Sequence, residues 1–329
     1  MRAMLGGATR AWLLLVLLVV STTTAAAHGT ASPPTDEVTG HTIVVDGLKI
    51  FYREAGKVTS PTLVLLHGAD SSSFSFRNLI PRLAGQFHVL APDYVGFGYS
   101  DIPGAGSYDY SFDHIAETVD DFLGAVGATR YILYMHDYGA PVGFRLALRH
   151  PERISGLVIQ NANAYKAGLN PEWRAALEKQ IEQGAAQPPA PAEQPQTPPS
   201  IDASIEAARR FHATGAHNAA TMSPDGYTFD TLMDLRAGRT EVEDALERNY
   251  YRNVMQYPAW QQWLRTARPR ILIVWGKNDA IFGIEGAKSY LRDVPQGKLV
   301  LFDGNHFLLE EYASAVGKEI TAYFKPGGR

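Results

Sequence analysis

Residues 131–135 read Tyr-Ile-Leu-Tyr-Met, and the chain continues His136-Asp137-Tyr138-Gly139-Ala140-Pro141-Val142-Gly143. The first five residues are aromatic, branched or otherwise apolar, and the run is too short for a helix, so they predict a buried strand. The next stretch of regular length, Ala140–Arg149, predicts a helix. A strand that turns sharply into a helix, with small residues just after the apex, has the pattern of a nucleophile elbow. Gly139 and Ala140 let the helix pack close to the strand. Asp137 then projects above the sheet at the helix N-terminus, where free N–H groups favour negative charge. An esterase would carry serine at this apex. A carboxylate, with an ordinary pKa of ~3.9, is nucleophilic without an activating base, and its attack on a saturated carbon leaves an alkyl ester on the protein.

The strand–helix pattern extends on either side. Thr62–Leu66, Val89–Ala91, Ile154–Ile159, Ile271–Trp275 and Leu299–Phe302 are short apolar runs. Thr42–Val45 and Leu48–Glu54 flank Asp46-Gly47, a two-residue hairpin signal. Helical stretches fall between the runs, at Ser73–Ala84, Phe112–Val126 and Ile284–Val294, and Phe307–Phe324 closes the chain. Such alternation predicts an α/β fold: a mostly parallel, eight-stranded sheet with helices on both faces and an antiparallel hairpin at its edge. It stops between Ala162 and Arg268, where helical pieces at Pro171–Gln183, Ile201–Thr214 and Thr240–Arg252 stand without strands. Within that stretch Gly184–Ser200 holds six prolines in 17 residues, the composition of an extended surface loop. The expected organisation is a core over 41–161, a helical lid over 162–268 after the sixth strand, and the rest of the core over 269–329. Open α/β sheets bind ligands beyond the carboxyl ends of their strands, which is where a lid belongs.

The 329 residues carry 30 Lys+Arg against 34 Asp+Glu with no basic cluster, which excludes an electrostatic footprint for nucleic acid. Arg2 and Arg10 precede Ala11–Val20, an apolar run of ten residues, well short of the about 20 that a spanning helix needs. Ala25-Ala26-Ala27 follows. The expectation is a signal peptide over 1–27, a disordered lead-in over 28–40, and export of a chain with no membrane attachment after cleavage. The sequence has no cysteine, hence no disulfide framework or lipidation site. No His-Glu-x-x-His pattern and no Gly-x-Gly-x-x-Gly leading from a strand into a helix are present, so no metal or cofactor is expected.

Hydrolysis of an ester on Asp137 requires a base to activate water and an acid to orient that base. Strand Ile271–Trp275 runs into Gly276-Lys277-Asn278-Asp279, and the last strand runs into Asp303-Gly304-Asn305-His306-Phe307. The order nucleophile, acid, histidine (Asp137, Asp279, His306) suits a triad at the carboxyl edge of the sheet.

Taken together, Leu65-Leu66-His67-Gly68, Ala91-Pro92-Asp93 with Gly96-Phe97-Gly98-Tyr99-Ser100-Asp101, His136-Asp137-Tyr138-Gly139, Trp275-Gly276 to Asp279, and Asn305-His306-Phe307 resemble the α/β-hydrolases of the epoxide hydrolase and haloalkane dehalogenase group. The resemblance spans about Thr42–Phe324. It implies an oxyanion hole from the backbone amides of Ala69 and Tyr138, and a small apolar epoxide or halide as substrate together with water. Three positions depart from the pattern. Epoxide hydrolases of this group usually have proline where this chain has Asp70. The dehalogenases usually have asparagine at Ala69 and tryptophan at Tyr138, the two side chains that hold the halide. The resemblance also implies lid tyrosines that protonate the opening epoxide. Arg248-Asn249-Tyr250-Tyr251-Arg252-Asn253 resembles the segment carrying one of them, with Tyr251 the first choice and Tyr250 the second, and Tyr165 is the available partner early in the lid. Tyr165 and Trp173 are the expected substrate contacts. Trp260 and Trp263 line the pocket or anchor the lid, His67 and His136 are structural histidines beneath the site, and Asp93 and Asp101 shape loops. The expected function is an epoxide hydrolase giving a diol. A dehalogenase using the same ester is the alternative, and a secreted binding protein on this fold the second alternative.

Overall fold

The structure is a computed structural model that describes residues 37–104, 106–183 and 199–325. The expected signal peptide, most of the lead-in and nearly all of the proline-rich loop lie outside the described residues. In chain order the elements are β1 (Thr39–Val45), β2 (Leu48–Ala55), β3 (Thr62–Leu66), α1 (Ile80–Leu83), β4 (His88–Pro92), α2 (Phe112–Ala125), β5 (Tyr131–His136), α3 (Gly139–Arg149) and β6 (Ile154–Gln160). Then come α4 (Pro171–Glu182), α5 (Ile201–Ala213), α6 (Pro224–Asp234), α7 (Arg239–Asn249) and α8 (Tyr251–Ala267), followed by β7 (Ile271–Gly276), α9 (Ile284–Asp293), β8 (Lys298–Phe302) and α10 (Leu308–Phe324).

The eight strands form one sheet in the order β1-β2-β4-β3-β5-β6-β7-β8. β1 and β2 pair antiparallel, β2 joins β4 antiparallel, and every later pair is parallel. Because successive side chains point to opposite faces, one strand feeds two cores. Tyr131, Leu133 and Met135 of β5 enter the core shared with α2, α3, α8 and α9, whereas Ile132 and Tyr134 enter the one shared with α1 and α10. Coverage of both faces explains why the central strands are unbroken apolar runs rather than alternating ones.

Several elements differ from the sequence expectation. β1 begins at Thr39 and takes in the last two residues of the expected disordered lead-in. Ser73–Ala84 is not one helix: a 3₁₀ turn at Ser73–Phe76 is followed by the four-residue α1, which Pro81 can start but not extend backwards. Among the described residues five helices, α4 to α8, stand between β6 and β7. Among them α6 was not anticipated; Ser223 caps it and Pro224 opens it. The stretch Thr240–Arg252 is not continuous either, since α7 ends at Asn249 and α8 starts at Tyr251. Among the described residues no helix is long and apolar enough to cross a membrane.

The turn between β5 and α3 is tight. Asp137 sits at φ +49°, in the left-handed region that a non-glycine residue enters at a cost. A Cβ on Gly139 would stand 2.4 Å from the Leu66 carbonyl oxygen, so the turn closes only with glycine there. Gly139→Ala is expected to lower unfolding free energy by about 1–3 kcal/mol, read from urea denaturation, because the backbone of β3 must yield.

Candidate active site

Four chain segments converge beyond the carboxyl ends of β3, β5, β7 and β8. The elbow presents Asp137, whose Oδ1 accepts from the Ala69 backbone N–H at 2.7 Å. The preceding Gly68 permits this approach, since a Cβ there would meet the Asp137 Cβ at 2.8 Å. The other carboxylate oxygen, Oδ2, faces His306 Nε2 at 3.9 Å, too far for a direct hydrogen bond. His306 Nδ1–H donates to Asp279 Oδ2 at 2.9 Å, which leaves Nε2 the ring's basic nitrogen. Asp279 Oδ1 accepts from the N–H groups of Ile281 and Phe282 at 2.7 and 3.1 Å. The structure thus brings Asp137, Asp279 and His306 into one chain of contacts.

A fourth residue was missed in the sequence. Asn161, the first residue after β6, donates from Nδ2 to Asp279 Oδ2 at 2.7 Å, and its Oδ1 accepts from the Gly276 N–H at 2.9 Å. Its signal was an asparagine at the carboxyl end of a strand, a position that also suits an ordinary turn. Asn161→Ala strands the Gly276 N–H and removes a donor from Asp279. The expected loss is about 1–3 kcal/mol in unfolding free energy, measured by urea denaturation.

The three ionisable groups shift in ways that match this wiring. Burial pushes the Asp137 carboxyl up, and His306 with the backbone amides of Ala69 and Tyr138 pulls it back only in part. Burial also penalises the Asp279 carboxylate, yet the His306 charge and hydrogen bond and the two N–H groups hold it below the usual range. For His306, burial disfavours the cation but the charges of Asp279 and Asp137 outweigh it, so the imidazole lies above its ordinary value of 6.5. His67 and His136 behave differently. Desolvation pushes both down to about 3, and they stay neutral. His67 Nε2 accepts from the Tyr94 N–H at 3.1 Å, and His136 packs 4.7 Å from His306, ring to ring. Asp93 accepts from the N–H groups of Ser73 and Tyr99, and Asp101 from that of Lys49, as loop-shaping carboxylates do.

A cavity of about 800 Å³ opens above Asp137, lined among others by Ala69, Tyr138, Trp173, Tyr250 and Ile281. Of the two adjacent tyrosines, Tyr250 lines it and Tyr251 does not; the Tyr251 oxygen instead accepts from Arg252 Nε at 3.2 Å. Tyr250 packs 4.7 Å from Trp173 and 6.0 Å from Tyr138, ring to ring. Burial above all, with the Tyr257 phenol and the Asp137 charge, pushes its phenol well above the ordinary value. Tyr165 is not brought to this cavity: its hydroxyl donates to Asp293 Oδ2 at 2.8 Å, beside a separate cleft. Trp260 lies flat on Phe144 at 5.1 Å, a packing anchor rather than a cavity wall.

Asp70, Asp234 and Glu243 bring carboxyl oxygens within 4.8 Å of one another, a spacing that suits a metal ion. Arg239 already supplies the positive charge there, at 3.4 Å from Asp70, 3.1 Å from Asp234 and 2.9 Å from Glu243. Burial, with Asp70 beside them, lifts the Asp234 and Glu243 carboxyls above the usual carboxylate range, and Arg239 pulls both back only in part. These residues answer to an internal cation, not to a missing one.

The loop that carries His306 is tied to α5. Asn305 Nδ2 donates to the carbonyl oxygens of His212 and Thr214 at 2.6 and 2.9 Å, while its Oδ1 accepts from the Phe307 N–H at 3.0 Å.

Residues 61–313 match the family model described as alpha/beta hydrolase fold. The chain belongs to this family. This hydrolase is 40% identical over 281 residues to an uncharacterized hydrolase of Saccharomyces cerevisiae, covering 85% of the present chain and 95% of the yeast one. Its backbone is similar to the haloalkane dehalogenase DbeA of Bradyrhizobium elkani, with a TM-score of 0.68 at 19% identity over 87% of this chain and 97% of that one. It is similar as well to the epoxide hydrolase CorEH, with a TM-score of 0.62 at 21% identity over 88% of this hydrolase and 99% of that chain. At these identities the two structures speak for the fold.

Proposed function

We propose that this hydrolase opens small apolar epoxides to diols through an alkyl ester on Asp137. The observation that carries the proposal is a carboxylate at the elbow apex, one oxygen held by the Ala69 N–H and the other turned toward His306, in a cavity lined by the Tyr250 phenol. Asp137 Oδ2 attacks a ring carbon, forming a C–O bond as the ring C–O bond breaks, and Tyr250 gives its proton to the departing oxygen. His306 Nε2 then takes a proton from water, which attacks the ester carbonyl. The amides of Ala69 and Tyr138 hold the resulting oxyanion. His306 returns its proton to the leaving alcohol oxygen, and the water's second proton replaces the one Tyr250 gave. Neither Ala69 nor Tyr138 offers the side-chain donors with which the related dehalogenases hold a halide, which favours the epoxide.

The direct test offers the protein styrene oxide and a short bromoalkane in separate reactions. Diol from the first supports the proposal; bromide from the second with no diol from the first overturns it. Tyr250→Phe is expected to slow diol formation by about 10²–10⁴-fold, the usual worth of a positioned proton donor.

The ester also changes the base. Asp137 is one of the charges that raise His306, and esterification removes that charge, so the imidazole falls back toward its ordinary value when it must accept a proton. Hydrolysis of preformed ester is therefore expected to lose rate at a lower pH than the pH at which His306 titrates in the free protein. Single-turnover kinetics against an NMR titration of the histidine checks this, and coincident midpoints would count against it.

A further inference from the structure

The Ala69 N–H that meets Asp137 Oδ1 at 2.7 Å belongs to the same peptide unit as the Gly68 carbonyl. A trans peptide is planar, with its N–H and C=O pointing in opposite directions, so whatever holds the Gly68 oxygen also aims the Ala69 proton. Two side chains hold it. His67 Nδ1 lies 2.8 Å from the Gly68 oxygen, and Ser71 Oγ donates to the same oxygen at 3.1 Å. The tautomer of the histidine follows from its other nitrogen. Nε2 faces the Tyr94 backbone N–H at 3.1 Å, a group that only donates, so Nε2 accepts and Nδ1 carries the hydrogen. The ring is fully buried and stacks on Tyr94 with 3.9 Å between centroids, which fixes its plane. Ser71 reaches back to Gly68 because the chain turns between them at Asp70, whose φ of +43° is in the left-handed region. Proline, the residue usual at this position in the related epoxide hydrolases, is fixed near about −65° and cannot take that turn. The departure at Asp70 and the bond from Ser71 therefore belong together.

Neither Ser71 nor His67 lines the cavity, so both act through the peptide between them. We propose that Ser71 and His67 are positioning residues for ester hydrolysis: their two donors on the Gly68 oxygen aim the Ala69 N–H at Asp137 Oδ1 and polarise the peptide, which makes that N–H a stronger donor. Hydrogen bonds linked through one peptide reinforce one another in this way. The effect falls on one step of the reaction. Because Oδ2 attacks the substrate, Oδ1 becomes the carbonyl oxygen of the ester. It loses charge as the ester forms and gains charge when water adds. A donor aimed at Oδ1 therefore speeds hydrolysis and does nothing for alkylation. The inference rests on the Asp137 ester proposed above, and it holds whether an epoxide or a halide supplies the alkyl group.

The test measures the two steps separately in Ser71→Ala and His67→Gln. The first removes one donor and little volume. The second places an amide oxygen where Nε2 stood, so the Tyr94 N–H keeps its acceptor while the Nδ1 donor is lost. Each variant is made in the full chain and checked by thermal unfolding. It is then mixed with styrene oxide and quenched at short times, and the Asp137 peptide is weighed to follow the decay of the ester. The same changes in a His306→Gln background, where the ester should not decay, give the rate of its formation. The expected result is decay slowed by about 10-fold in each variant, with formation within about 2-fold of the parent. A loss shared equally by both steps, or decay at the parent rate, overturns the inference and leaves the ester mechanism standing. Ser71→Ala decides alone if His67→Gln does not fold. If the His306→Gln parent gains no mass on the Asp137 peptide from styrene oxide or from a bromoalkane, the ester itself fails and the inference with it.

Discussion

His306→Gln is expected to form the ester and stop there. The substitution keeps a side chain of similar reach but leaves no nitrogen able to accept a proton at pH 7, so the step that needs a base is lost while the attack by Asp137 is not. The variant should consume about one equivalent of styrene oxide per chain in a burst and then fall silent, with steady turnover down by about 10³-fold or more. Digestion and mass measurement should place the added mass on the peptide carrying Asp137. A variant that turns over with no burst, or that carries the mass elsewhere, would remove the covalent route. The geometry favours the burst: His306 Nε2 is 3.9 Å from Asp137 Oδ2, and the carboxylate oxygen depends on no proton transfer to that ring for its nucleophilicity.

Asp137→Asn tests the other half. The amide oxygen can still accept from the Ala69 N–H, so the elbow should keep its shape, but the negative charge and the nucleophile disappear together. Turnover is expected to drop by about 10⁴-fold or more, with no burst and no adduct. A second effect has a defined sign. The Asp137 charge helps to raise His306, so its removal should lower the histidine titration, as followed by NMR. A variant that loses activity but leaves the histidine where it was would contradict the contact between the two residues.

The elbow and the placing of Asp279 and His306 just after strands were legible because each depends on local pattern: an apolar run, a turn, then the polar residue. Asn161 escaped because its role depends on β7 lying beside β6, which is a matter of sheet order rather than of neighbouring letters. Tyr251 was preferred over Tyr250 from the resemblance of the segment alone, which cannot say which of two adjacent side chains lines the cavity; α7 ends at Asn249, α8 starts at Tyr251, and the residue at the junction, Tyr250, is the one in the lining. Tyr165 was named from its place early in the insertion, yet its hydroxyl is committed to Asp293.

The bond from Asn305 to the end of α5 bears on how such hydrolases can be recombined. Two backbone carbonyls of the inserted helices rest on the side chain that immediately precedes His306. A chimera that imports α4 to α8 from a relative would therefore import the anchor of the loop that carries His306, and a mismatch there should appear as a misaligned imidazole rather than an altered substrate range. Breeding new specificity into this scaffold by exchanging that block calls for carrying residues 303–307 along with it, as a single heritable cassette.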